Sequence, residues 1–492
     1  MNASVKLAAK LELGTNLLIH FHTDKTIPVG SLLERIIQGL KGSDIAVPGD
    51  QYLAIQFDHH QYYIDGQPAL ELLALLSIQI DMCKRLRIHG SIFPFSSEKF
   101  GLLKLLSTQA VDEQILRQFC REQELPWLAM SDPWMLDPVY IPKPWGQEIW
   151  YTGIEARGQA GVVADNASIP LPWLLDLMSN QVGLAQGISP VLLKVLDPHA
   201  DELFGDLYFE LHQQKQEVYV VTHLDPSAWP DGVGSIQLGF AAKIRKQFEN
   251  DEAFKLAYLQ SVRAYETVRR QIDCHLDELK LSEGLDPNEP VSSLQLTNWI
   301  NKLQLSTDNK DLFDRELTLR DAMNEFVASY PLKLGDVVTV PNLVPHALQH
   351  GVRVVEFQTP VYERKILSFN QKVLTQTCWD TEEALTLVDM DSTRIPLPEI
   401  LQESAQCRIE RIVDFEDFEV QRIWIEGSYL LQRGTYTVLM VLDGELTFGC
   451  SMQNQILCAG QAVLIPKSED GCLISTSNPL LFLLAAPKSS RK

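Results

Sequence analysis

Gly335-Asp-Val-Val-Thr-Val-Pro341-Asn-Leu-Val-Pro-His346-Ala-Leu348 reads as a strand, a turn and the start of a second strand. A β-rich run between a glycine and a proline is a short buried strand with its stops in place. The frame recurs at Gly460-Gln-Ala-Val-Leu-Ile-Pro466. Both copies read Gly, five residues, Pro, as two copies of one β unit would. Around the first copy lie further short β-rich runs, Val191 to Leu196, Glu217 to Thr222 and Arg353 to Phe357. Around the second lie Thr435 to Leu442, Glu445 to Cys450 and Leu480 to Ala485. These alternate with turn residues, as in an all-β sandwich or barrel.

A different pattern interrupts the first β block. From Phe254, the positions Tyr258, Val262, Tyr265, Val268, Ile272, Leu276 and Leu279 recur every three or four residues. That spacing predicts an amphipathic helix. Further helices are expected near Leu294 to Leu303 and Leu317 to Tyr330. Residues 241–330 therefore read as a helical insertion within a β domain covering 131–240 and 331–400. Residues 401–492 read as a second β domain, and 1–130 as an N-terminal α+β segment of unknown role. In that segment Asn16 to His22 and Tyr52 to Phe57 read as strands, and Ser31-Leu-Leu-Glu34 as a capping box. Ala69 to Ile88 and Val111 to Glu124 read as helices. The Pro- and Trp-rich stretch 131–145 reads as an extended strap. The overall expectation is a mainly β chain with α insertions.

Composition narrows the function. Asp+Glu number 64 against 42 Lys+Arg, a net charge of −22. Such an excess repels nucleic acid and anionic membranes. No apolar run approaches the roughly 20 residues of a membrane helix, and the first residues lack the apolar stretch of a signal peptide. Eight scattered cysteines form no CxxC pair, so reduced thiols in a cytoplasmic protein are expected. No Gly-rich phosphate loop occurs, so no nucleotide cofactor is expected. Oligomeric state is not legible.

Eleven histidines are present, none beyond His350. Three stretches combine into a ligand set: Asp197-Pro-His199, Lys215-Gln-Glu217 and His346 after Pro341. Two carboxylates and two imidazoles suit a divalent ion of the zinc, manganese or iron type. His20 with His22, and Asp58-His59-His60, are weaker candidates. Lys243, Arg245 and Lys246 form a short basic cluster that offers phosphate donors. Lys194 and Arg353 read as surface charges.

In order and spacing these stretches resemble type I mannose-6-phosphate isomerase (phosphomannose isomerase), of the cupin superfamily. The family has Gln-x-His, Lys-x-Glu, Gly-x5-Pro…His-Ala-Leu, Glu-Ile-Gln and a downstream Arg. This chain has Asp197-Pro-His199, Lys215-Gln-Glu217, Gly335…Pro341…His346-Ala-Leu348, Glu356-Phe-Gln358 and Arg364. Pro144-Trp-Gly-Gln-Glu-Ile-Trp150 resembles the segment that opens such domains. The likeness runs over about 140–375 and more loosely over 405–487. It implies two cupin (jelly-roll) β-barrels, the second metal-free. It implies one divalent ion, zinc first, on Asp197, His199, Glu217 and His346. Arg364, Lys215 and Glu356 would serve the chemistry: interconversion of mannose 6-phosphate and fructose 6-phosphate through an enediol. The chain departs from the pattern where Asp197 stands for the family's Gln and Val195 for a serine. In a second register Asp197 falls at the family's His and Val195 at its Gln. A cupin isomerase for another sugar, a non-catalytic sugar-binding protein and an oxidative cupin stay open.

Overall fold

A computed structural model describes residues 18–23, 27–42, 50–80, 85–165, 167–305, 307–391, 397–449 and 456–488. The N-terminal stretch inspected for a signal peptide, Asn16, Cys83 and Cys450 lie outside them. Strands dominate, and the chain forms two compact units. One comprises Met1–Val139, Tyr151–Val191 and Ile400–Lys492; the other comprises Tyr140–Trp150 and Leu192–Glu399.

The second unit holds Glu217, His346, Glu356 and Arg364. One of its sheets has six strands, in the order Val337–Val340, Glu217–Leu224, Val352–Gln358, Leu192–Pro198, Gly146–Trp150, Val139–Lys143. Its other sheet has five, in the order Val327–Leu332, Gly234–Phe240, His346–Leu348, Phe209–Leu211, Lys365–Ser368. Leu196, Tyr219, Val221, Val338 and Val354 from the first sheet share one core with Leu211, Ile236, Leu238 and Ile366 from the second. Period-2 alternation supplies these inward residues. Among the described residues the pairing gives two packed sheets and not a closed ring of strands.

The helix expected from Phe254 forms, while the stretch expected to stay helical to Tyr330 ends at Asn324 and gives way to the strand Val327–Leu332. Asp251–Ser282 is one helix, capped by the Asn250 side chain, which accepts from Ala253 N. Phe254, Tyr258, Val262 and Tyr265 bury its apolar stripe in the core between the sheets. Ser293–Gln304 and Thr307–Asn324 follow as helices.

The first unit holds a five-stranded sheet and the C-terminal strands. Here the sequence reading of Ala69 to Ile88 as a helix is corrected. Leu70–Ile80 and Leu86–Pro94 are paired antiparallel strands, in register from Leu72↔Pro94 to Ile80↔Leu86. An apolar run without alternation reads the same for a buried strand and a buried helix. Leu72 to Leu76 are all fully buried, so neither face of this strand needs polar residues.

The two Gly-x5-Pro copies do form matching units. Gly335 and Gly460 both have left-handed φ, 84° and 83°. Gly335 N donates to Val221 O and Gly460 N to Val441 O, each at 2.9 Å. Glu217 lies opposite Val340, and Thr437 opposite Ile465. Lys194 and Glu356 are cross-strand partners in one unit; Gln421 and Leu484 are cross-strand partners in the other. The second copy keeps the backbone and lacks the charges.

Candidate metal and polar site

Glu217 is the hub. Its strand buries every second residue inward, so Glu217, Tyr219 and Val221 share the core face. Lys215 Nζ bonds Glu217 Oε1 at 2.6 Å. Tyr219 donates its hydroxyl to Glu217 Oε2 at 2.9 Å. His346 Nε2 lies 3.1 Å from the same oxygen, and His212 Nε2 3.6 Å. Ligand atoms of His212, Glu217 and His346 all lie within 4.8 Å of one another, and all three residues are buried.

The His212 imidazole is oriented for lone-pair donation. His212 Nδ1 is 2.8 Å from the Glu363 carbonyl oxygen, and His346 Nδ1 is 3.3 Å from that of Val344. A carbonyl oxygen only accepts, so the His212 Nδ1 carries the proton, whereas His346 has an acceptor at both nitrogens, Val344 O and the Glu217 carboxylate. Burial, reinforced by the Lys215 charge, holds His212 well below the usual imidazole range, so it is neutral. Its Nε2 lone pair is buried and has no hydrogen-bond partner. Metal-bound histidines have this arrangement, the distal N–H on a carbonyl and the other nitrogen free. Two imidazoles and a carboxylate suit zinc or a neighbouring divalent metal.

A charged row extends from this cluster across the sheet. Lys194 Nζ is 3.2 Å from Glu356 Oε2, and Lys143 Nζ is 3.1 Å from Glu148 Oε1. Trp150 donates to Glu148 Oε2 at 2.7 Å. Burial opposes ionisation of Glu217, but the Lys215 charge and the hydrogen bond from His346 hold its carboxyl well below the usual range. Burial and the Glu217 charge push Glu356 well above it, against Lys194 and Lys215, so Glu356 is the protonated acid of the row. Burial also opposes the Lys194 ammonium, and Glu148, Glu356 and Glu217 outweigh it. Arg364 stacks over Tyr208 at 4.7 Å, donates to Thr375 Oγ1 at 2.7 Å and lies 3.7 Å from Glu210.

Of the four expected ligands, the structure brings together Glu217 and His346 and adds His212. Asp197 and His199 do not join them, and the reason is parity. Lys194 and Leu196 face inward on their strand, so Asp197 faces the other way. There it accepts from Gln147 Nε2 at 2.8 Å and lies 3.7 Å from Arg353. His199 stands past the strand end, where its backbone N–H donates to Trp145 O. Lys194, read as a surface charge, is one of the buried charges. His212 was legible as the histidine three residues before Lys215, on the turn entering the Glu217 strand.

The other candidates are occupied elsewhere. Arg245 bonds Asp251 at 2.6 Å and Asp391 at 2.8 Å. His20 packs edge-on against Phe100. His59 is fully buried against Asp176 at 2.6 Å, while His60 is exposed.

No protein-family profile matches the sequence, and no curated protein matches it. Among solved structures, the chain is similar to the mannose 6-phosphate isomerase of Bacillus subtilis at 15% identity and TM-score 0.49. That match covers 72% of this chain and 99% of the other. It is similar to a variant of phosphomannose isomerase from Salmonella typhimurium at 12% identity and TM-score 0.48, covering 73% and 100%. A zinc-bound mannose 6-phosphate isomerase gives the same four values.

Proposed function

We propose that the protein is a divalent-metal-dependent aldose–ketose isomerase acting on a sugar phosphate, with mannose 6-phosphate and fructose 6-phosphate as the first pair to try. The observation that carries the reading is the buried, unpartnered Nε2 of His212 beside His346 and Glu217. A buried imidazole lone pair without a donor, next to a second imidazole and a carboxylate, is what a cation satisfies. His212, Glu217 and His346 would hold the ion, and Lys215 and Tyr219 fix the Glu217 carboxylate in place. Bound there, a divalent ion supplies charge stabilisation for the oxyanion of an enediol.

The chain's own residues supply the remainder. Glu356, cross-strand from Tyr219 and on the same face as Glu217, is the candidate to carry the proton. Lys194 fixes its carboxyl. Arg364 offers guanidinium donors to a phosphate. The match of Lys215-Gln-Glu217, Gly335…Pro341…His346 and Glu356-Phe-Gln358 to the isomerase pattern supports the choice of reaction. The cupin assignment of the two matching β units, and the placing of the protein in the cytoplasm, belong to the same proposal.

A second reading is favoured by burial. Lys194, Lys215, Glu217, Glu356, His212 and His346 are each at most 8% exposed, and Lys215 with Glu217 and Lys194 with Glu356 are already in contact. A non-catalytic protein could keep such a row as structure. Metal analysis of the purified chain, with a coupled isomerase assay on wild type and His212→Ala, decides between them. The proposal expects about one ion per chain, its loss in the variant and metal-dependent turnover. A chain that neither retains nor takes up a divalent ion overturns it.

A further inference from the structure

Glu217 and His346 stand on strands, where ladder hydrogen bonds fix the backbone. His212 stands on the turn between Phe209–Leu211 and Glu217–Leu224, outside any strand. Its place therefore depends on whatever holds that turn, and the turn's backbone groups go to two other segments.

The first segment follows the Glu356 strand. Glu363, half-buried, accepts from Gln213 N at 2.5 Å through one carboxylate oxygen and from Gln214 N at 2.8 Å through the other. Its main-chain oxygen takes the His212 Nδ1–H at 2.8 Å. Thr359 closes the far end of the turn, its N–H donating to Gln216 O at 3.0 Å and its Oγ1 accepting from Gln216 N at 3.4 Å. The second segment is the turn that leads into His346. Leu343 N donates to His212 O and Asn342 Nδ2 to Gln213 O, each at 2.7 Å. Leu343 has φ 64°, a left-handed conformation uncommon for a leucine.

Glu363 is the residue that grips the histidine from both ends. Its main chain holds the ring, and its side chain holds the backbone of the two residues that follow. Hydrogen bonds from backbone N–H groups to a carboxylate are roughly twice as strong as neutral ones. We propose that Glu363 is a positioning residue for the metal site. Its carboxylate pins the turn so that Nδ1 meets the Glu363 carbonyl and the unpartnered Nε2 stays 3.6 Å from Glu217 Oε2. This role rests on the metal assignment above, and extends it to a carboxylate that touches no ion.

Cobalt(II), whose visible absorption reports ligand geometry, is the probe. Its binding to the full chain, stripped of metal beforehand, is followed by calorimetry and absorption in wild type, Glu363→Gln and Glu363→Ala. Both variants lose the same charge, but the glutamine keeps one acceptor oxygen for the turn. Expected is an affinity lowered by about tenfold or more in Glu363→Ala, with Glu363→Gln in between. The cobalt spectrum changes in Glu363→Ala and is partly restored in Glu363→Gln. In the metal-free chain, hydrogen exchange of a peptide spanning 212–216 quickens in the same order, with circular dichroism showing each variant folded. Equal loss in the two variants reduces Glu363 to a distant charge and overturns the positioning role. So does wild-type affinity, or unchanged exchange, in Glu363→Ala. A wild type that takes up no cobalt fails differently: it removes the metal assignment itself, and the role with it.

Discussion

Replacing Lys194 with Met tests whether the charged row is a coupled unit. The ammonium lies 3.2 Å from Glu356 and is held by the fields of Glu148, Glu356 and Glu217. Removing one partner of a buried ion pair costs about 3–5 kcal/mol. The structure says where in that range the loss falls. Glu148 keeps Lys143 at 3.1 Å and the Trp150 N–H at 2.7 Å, and Glu217 keeps Lys215 at 2.6 Å. The loss therefore falls on Glu356, which burial already drives to its neutral form. A neutral acid left behind costs less than a stranded anion, which places Lys194→Met near the low end, about 3 kcal/mol. Adding Glu356→Gln removes the group left unpaired, so the double variant recovers to within about 1 kcal/mol of wild type, a coupling of about 2 kcal/mol. Hydrogen exchange read by mass spectrometry on peptides from 146–150, 192–198 and 352–358 reports opening of these adjacent strands without averaging over the other unit. Single and double variants with additive effects, or a single variant within about 0.5 kcal/mol of wild type, refute the coupled row.

Other outcomes follow from the same coordinates. His212→Ala removes one of the three proposed ligands, and divalent-ion affinity measured by calorimetry should fall by about 100-fold, the upper end of what even supporting partners of a ligand cost. Gly205→Ala places a Cβ 2.0 Å from His199 O and 2.6 Å from His350 Cβ; overpacking of this kind should cost about 3 kcal/mol, read as a lowered thermal midpoint. Burial lowers the His350 pKa, but the Asp206 hydrogen bond at 2.8 Å, with the charges of Asp206, Glu202 and Asp201, raises it overall. A raised folded-state pKa gives stability that is complete below about pH 6.5, the unfolded value, and is lost as pH rises through the folded value. Asp206→Asn should flatten that part of a stability–pH profile, and an unchanged profile would remove His350 from the account.

Sequence alone determined the local elements. The apolar stripe from Phe254 to Leu276 could pack only as a helix, and the Gly-x5-Pro frames only as turn-plus-strand units, because side-chain period and the left-handed glycine are properties of a few neighbouring residues. It also singled out Glu217, His346, Lys215 and Glu356, which the fold brings into one buried cluster and the charged row beside it. Tertiary structure decided which side chains meet. Asp197 lost its place because a one-residue change of parity on a strand sends a side chain to the opposite face. His212 gained one because a turn outside any periodic pattern carries it back over Glu217. Lys194 looked like a surface charge because the three carboxylates that hold it come from neighbouring strands, Glu217 and Glu356 lying 23 and 162 residues further along the chain. The Ala69 to Ile88 run was misread as a helix because its burial, too, is a property of the tertiary structure. With both faces buried no polar side records the period, and only its pairing with Leu86–Pro94 shows it to be a strand.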